Sequence, residues 1–294
     1  MYAMNTASEY ISLLGFSEPI SSMTHLFGAL IYLIFGMIFI YKGRGNNLRV
    51  SALVLYVFCG VFLFSMSGVY HLLEKGTTAN YVLRILDHAG IYVMISGTFT
   101  PFQVILLRGA KRWLPLAGIW ILAITGLTLT SVFFSDMSEK IILTFFISMG
   151  WMSLFTVWFV RKIDIQTVKL IFLGGIFYTV GAIFDFLRWP NLIEGVLEGH
   201  ELFHIFVLAG AFAHFYAIYL ICTKPISQEL VLIIKNYPRY SRGYFITENT
   251  VFEGSDLEEV KKSARQWVRA SYDSAHIPKS ITVKYFNEDI VEID

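Results

Sequence analysis

Apolar runs of about 20 residues, separated by short polar stretches, recur seven times before position 223. They cover 22–41, 50–73, 85–107, 113–133, 141–160, 168–187 and 202–221. Each is long enough to cross a bilayer as an α-helix, the one open-ended element that satisfies its own backbone in hydrocarbon. The connections are short, so consecutive helices run antiparallel. The predicted fold is an all-α membrane protein, a seven-transmembrane-helix bundle.

The pattern changes after Thr223. Residues 224–294 hold 10 Lys and Arg and 11 Asp and Glu, nearly half of the chain's 23 and 22. This segment reads as a small soluble α+β domain: strands over 230–234, 244–246 and 281–286, and an amphipathic helix over 256–272. Ser255 is the expected cap of that helix, with Glu258 at capping-box spacing. His276 has no chemical company there. The expected organisation is an N-terminal segment 1–21, a seven-transmembrane domain 22–223 and a soluble domain 224–294.

Composition agrees with the membrane reading. Of 294 residues 55% are hydrophobic and only 15% charged, where soluble domains carry about a quarter. Mean hydropathy is +0.60. A net charge of +1 with no basic stripe gives no footprint for nucleic acid. Cys59 and Cys222 both lie in apolar runs and read as buried packing residues rather than a disulfide framework. Residues 1–20 lack the basic start of a signal peptide, so the first run is expected to remain as a span.

Loop charges orient the bundle. One set of loops carries Lys42, Arg44, Arg49, Arg108, Lys111, Arg112, Arg161, Lys162, Lys169 and Lys224 against Asp164 alone. The other carries Lys75, Arg84, Lys140 and Arg188 and is rich in acids. The positive-inside rule predicts an outside N-terminus and a cytosolic tail, in a bacterial inner membrane with the acidic face toward the periplasm.

Ionisable groups gather at that acidic boundary. His71 closes the second run, Asp87 opens the third, and His200-Glu201-Leu202-Phe203-His204 leads into the seventh. The i, i+4 spacing puts His200 and His204 on one helix face. Three imidazoles are good zinc ligands and leave one tetrahedral position open, as in catalytic sites. Asp87 is placed to hold or deprotonate a water there. Ser67, one turn before His71, is placed to orient that ring or to contact a polarised oxygen, unless it bonds its own helix backbone. His71 or Asp87 alone reads as an interfacial polar group; the three histidines and Asp87 together read as a metal site. His25 and His88 read as hydrogen-bonded packing residues, Asp185 as a partner of Arg188, and Glu201 as a solvated group pointing away from the rings. His214 lies about 15 Å beyond His204 along the same helix, too far to share an ion.

These residues carry a resemblance. Ser67-x-x-x-His71, Leu86-Asp87-x-x-Gly90, Ser96-Gly97-Thr98-Phe99-Thr100-Pro101-Phe102 and His200-Glu201-x-x-His204, in this order, resemble the hemolysin III family. That family belongs with the progestin and adipoQ receptors, in a superfamily that includes alkaline ceramidases. Glu18-Pro19 with His25 and Gly181-Ala182-Ile183-Phe184 extend the match over most of residues 18–222. The resemblance implies a seven-helix bundle with zinc held by three histidines, here His71, His200 and His204. It puts Asp87 near the metal's water and Ser67 one turn before the first ligand. In the adiponectin receptors the N-terminus is cytosolic and the zinc lies toward the inner leaflet; the loop charges here predict the reverse. The tail lies outside the family core.

The function expected first is a zinc-dependent hydrolase of a lipid amide or ester, with membrane lipids as substrates or partners and Asp87 assisting the water. The alternative is a lipid-sensing, receptor-like protein regulating membrane homeostasis, with structural zinc and the tail as its partner-binding module. A cytolysin ranks last, because no polar stripe lines an aqueous path through the helices. A transporter would need ionisable groups at mid-membrane, where His214 stands nearly alone.

Overall fold

The computed structural model describes residues 17–161, 164–224, 226, 231–245, 250–271 and 281–286. The chain divides between Thr223 and Lys224 into two compact units. The first holds eight helices: α1 (Pro19–Lys42), α2 (Asn47–Leu72), α3 (Thr78–Leu106), α4 (Gly109–Val132), α5 (Glu139–Trp151), α6 (Ser153–Val160), α7 (Ile165–Leu187) and α8 (Gly199–Ile221). Seven stretches are long and apolar enough to cross a membrane, with α5 and α6 jointly making the fifth. Their junction is slight: Met152 keeps helical dihedrals, and its N–H bonds back to the carbonyls of Ser148 and Met149.

The expected spans are all present, but several begin earlier than their apolar runs. Capping side chains mark the true starts: Asn46, Thr77, Ser138 and Asp164 each accept from the backbone N–H three residues on. Thr77 makes the largest difference. It starts α3 at Thr78, so Asp87 lies two and a half turns inside the helix rather than at its opening. α3 is the central helix, with 83% of its most apolar stretch buried, against 17% for the fifth span. Large apolar side chains such as Phe27, Phe58, Leu114 and Phe155 stand more than half exposed, as lipid-facing surface requires.

Small residues bring the helices close where the polar cluster forms. A Cβ on Gly68 would stand 2.7 Å from the Leu26 side chain, and Ser22 Oγ donates to the Gly68 carbonyl at 2.8 Å. Together they seat the start of α1 against the end of α2. A Cβ on Gly181 would stand 2.8 Å from Phe206, so α7 lies against α8 one turn before Asp185. Deeper in the bundle the buried hydroxyls of Tyr32 and Tyr56 bond each other at 2.8 Å, and Tyr32 also donates to the Ala211 carbonyl.

The second unit holds strands β1 (Val231–Asn236), β2 (Ser241–Phe245), β3 (Val251–Gly254) and β4 (Thr282–Phe286), with helix α9 (Leu257–Ser271). The sheet order is β3-β2-β1-β4; β1–β2 and β2–β3 are antiparallel and β1–β4 is parallel. Val260, Ala264 and Val268, four residues apart on α9, close a core with Leu232, Ile234, Phe245 and Phe252. β3 has no counterpart among the predicted strands, because its four residues include Glu and Gly. The cap of α9 is Asp256, one residue later than expected: its Oδ1 accepts from Glu259 N–H at 2.9 Å, while Glu259 bonds back to Ser255. His276 lies outside the described residues.

Candidate metal centre

The centre is built where α2 ends and α8 begins. Ligand nitrogens of His71, His200 and His204 all come within 4.8 Å of one another. Nε2 of His200 and Nε2 of His204 stand 3.2 Å apart, and the His71 and His204 rings meet edge to face with centroids at 4.5 Å. His71 and His204 are each only 2% exposed.

Each imidazole is held from behind. His71 Nδ1 donates to Glu18 Oε2. Glu18 is the residue before α1, and its backbone N–H also bonds the His71 carbonyl at 3.1 Å. Because Pro19 leads the helix, Glu18 is the N-cap position, yet its side chain makes no cap and turns to His71 and Lys75 instead. Burial would push the Glu18 carboxyl upward, but the His71 bond and charge and the Lys75 ammonium at 2.7 Å outweigh it and bring it down to about 2. It is therefore ionised and a strong acceptor.

His200 Nδ1 donates to Asp185 Oδ1 at 2.8 Å, and the same oxygen takes Arg188 at 3.1 Å. The expected Asp185–Arg188 pair is present; the histidine is the additional partner. Nδ1 of His204 lies 2.9 Å from His25 Nε2, so His25 is a hydrogen-bonded packing residue, as its surroundings in the sequence suggested. With each Nδ1 engaged, ligand nitrogens of the three rings lie within reach of one another, the second-sphere arrangement of histidine metal sites.

Two buried atoms on the last turns of α2 lack partners. His71 Nε2 and Ser67 Oγ are buried without a hydrogen bond among the described residues. Ser67 therefore does not bond its own helix backbone. Leaving such an atom unpaired costs about 1–3 kcal/mol. Two of them one turn apart, beside two more imidazole nitrogens, fit a bound cation and its polar ligand better than an empty packing core.

Asp87 lines the same cavity but is not in the cluster of converging ligand atoms. Glu201 corrects the sequence reading. It is 3% exposed rather than solvated, and its Oε2 accepts from Glu198 N–H at 3.1 Å in a capping box that fixes the start of α8 and so the height of His200. His88 also lines the cavity, with Nδ1 bonded to the Arg84 carbonyl at 2.8 Å. Glu18 as the support of His71, and Asp185 as the support of His200, were the contributions sequence reasoning missed. The available signal was position, since both carboxylates stand at span ends on the boundary that carries the histidines.

The cavity measures about 710 Å³ and runs inward from the histidines past Met94, Phe102 and Tyr178 to His214. Its walls are mainly apolar, with polar groups concentrated at the histidine end.

Comparisons with known proteins agree with this architecture. A family model described as "Haemolysin-III related" matches residues 16–215. "Hemolysin-3" of Bacillus cereus is 33% identical over 205 residues, covering 68% of this chain and 90% of that protein. "Hemolysin-3 homolog" of Bacillus subtilis (strain 168) is 30% identical over 211 residues, covering 70% and 95%. "Heptahelical transmembrane protein 1" of Arabidopsis thaliana is 27% identical over 231 residues, covering 68% of each chain.

Proposed function

The chain belongs to the haemolysin III-related family and is an integral, multi-pass membrane protein, and from this premise we propose that it is a zinc-dependent hydrolase of a lipid amide or ester. The carrying observation is the convergence of three imidazoles whose Nδ1 atoms are already engaged, with His71 Nε2 buried and unpartnered. Three nitrogen donors with no thiolate suit zinc in an open, catalytic coordination. His71, His200 and His204 hold the ion. When bound, it supplies Lewis-acid chemistry, polarising a carbonyl and acidifying water.

The protein's own groups do the rest. Glu18 and Asp185 fix the tautomers of His71 and His200 so that Nε2 presents a lone pair. Asp87, on the cavity wall, takes the proton released as water attacks the carbonyl and returns it to the amine or alcohol as the C–N or C–O bond breaks. Ser67 Oγ, free of other bonds, donates to the oxygen that gains charge. The apolar cavity receives the acyl chain and keeps bulk water from it. By the loop charges, the centre faces outward across a bacterial plasma membrane and the tail is cytosolic.

The test is fatty-acid release from a ceramide and phospholipid panel by purified wild type and Asp87→Asn, with zinc measured in the same samples. The variant is expected to keep its zinc and lose turnover by a factor of about 10² to 10⁴. Zinc with no release from any lipid by the wild type would move the assignment to a lipid sensor with structural zinc, the tail acting as partner-binding module.

A further inference from the structure

We infer that the inner end of the cavity is a second polar subsite, which takes a neutral hydroxyl carried on the acyl chain about twelve bonds from the reacting carbonyl. This rests on reading the cavity as an acyl-lipid site and deepens it by naming what the far end of the chain carries.

The depth of that end follows from the helices. His214 lies 14 residues beyond His200 on α8, and Ile171 lies 14 residues before Asp185 on α7, about 21 Å along each helix from the charged boundary. The two meet at one level, where His214 Nε2 donates to the Ile171 carbonyl at 3.0 Å. Phe102 of α3 and Thr156 of α6 also line the cavity, and the Phe102 ring stands edge-on to His214 with centroids 6.5 Å apart.

The polar atoms of this end are not used up by the protein. Because Nε2 carries the donated proton, His214 Nδ1 presents a lone pair, and it is buried without a partner among the described residues. Gln103, fully buried behind the wall, donates from Nε2 to Thr156 Oγ1 at 2.6 Å, and its own Oε1 is left buried and unpartnered among the described residues. Thr98, Thr100 and Thr179 each donate to the carbonyl four residues back on their helices. Thr156 makes no such bond among the described residues; it accepts from Gln103 and keeps its proton to give.

A hydroxyl answers both needs, since it accepts from Thr156 and donates to His214 Nδ1. A bare hydrocarbon end would leave both groups unpaired in a low-dielectric interior. A charged end does not fit. Among the described residues, the Lys, Arg, Asp and Glu that line the cavity all stand at its histidine end, so nothing here would neutralise a carboxylate or an ammonium. The spacing fixes where the hydroxyl sits on the chain. His204 and His214 are about 15 Å apart along α8. An extended chain advances about 1.2 Å per bond, as the three bonds of each backbone residue do, and so covers that distance in about twelve bonds.

The experiment is native mass spectrometry of the full chain in nanodiscs of neutral lipid, titrated with dodecanoate, 12-hydroxydodecanoate and 2-hydroxydodecanoate. The reading is the affinity for each hydroxy acid divided by that for dodecanoate. For 12-hydroxydodecanoate this ratio is expected to fall about tenfold from wild type to Thr156→Val and to His214→Phe, and to hold in Thr156→Ser. Dodecanoate itself is expected to bind all four proteins alike, which reports an intact cavity. For 2-hydroxydodecanoate the ratio is expected to stay constant. An unchanged 12-hydroxy ratio in either Thr156→Val or His214→Phe, as when these atoms hold only buried water, would overturn the inference. So would an equal fall for the 2-hydroxy acid. Wild type that binds none of the acids would overturn it together with the acyl-lipid reading. Free acids are not turned over, so a chain that shows the 12-hydroxy preference but releases fatty acid from no lipid would remove the hydrolase and leave the subsite standing.

Discussion

His71 and His214 line the same cavity at opposite ends, and each holds one ring nitrogen in a hydrogen bond while the other is buried without a partner among the described residues. Their surroundings separate them. His71 Nδ1 donates to an ionised carboxylate, and its free Nε2 meets two further imidazoles. His214 Nε2 donates to the Ile171 carbonyl at 3.0 Å, and its ring packs against Tyr178 with centroids 5.5 Å apart. Burial is common to both ends; convergence of donors and carboxylate support belong to one. A buried orphan nitrogen alone is thus no metal site; the centre depends on converging donors with carboxylate support.

The comparison breaks most sharply with ligand removal. His71→Ala is expected to reduce zinc in the purified protein to background, while His214→Ala leaves zinc unchanged; elemental analysis of both variants reads the difference. If the two variants lose equal metal, the ends of the cavity are not distinct. A smaller effect is expected from the supporting carboxylates. Glu18→Gln and Asp185→Asn should each weaken zinc affinity by about 10- to 100-fold, measured by competition with a chromophoric chelator.

At the His214 end the expected effect is on stability rather than metal. A Cβ on Gly174 would stand 2.3 Å from His214 Nε2 and 3.0 Å from the Gly210 carbonyl. Gly174→Ala should therefore cost about 1–3 kcal/mol, seen as a lower thermal midpoint with zinc retained. The smallest effect belongs to Arg188→Gln. This exposed partner of Asp185 should change zinc affinity and stability by less than about 1 kcal/mol, because Asp185 keeps its bond to His200.

Hydrophobic runs made the seven spans legible, since hydrocarbon imposes one length and one composition on every crossing. Helix starts were less legible where polar residues open the helix. Asn80 and Arg84 hid the first turns of α3, and only the Thr77 cap reveals them. His200 and His204 were readable as a pair from spacing, and His71 from its place at a span end. Their supports were not. Glu18 acts on His71 across 53 positions and Asp185 on His200 across 15, and no local periodicity links such pairs. Glu201 misled for a related reason: a helix wheel turns it away from the rings, whereas the capping box at the start of α8 buries it.

Metal binding by the converging His71, His200 and His204 is the property to measure. Zinc content of wild type purified without chelator, followed by zinc-edge X-ray absorption on the same sample, tests it most directly. About one zinc per chain is expected, with three imidazole nitrogens and one oxygen at about 2.0–2.1 Å. Wild type free of zinc, or zinc held through sulfur from Cys59 or Cys222, would contradict it.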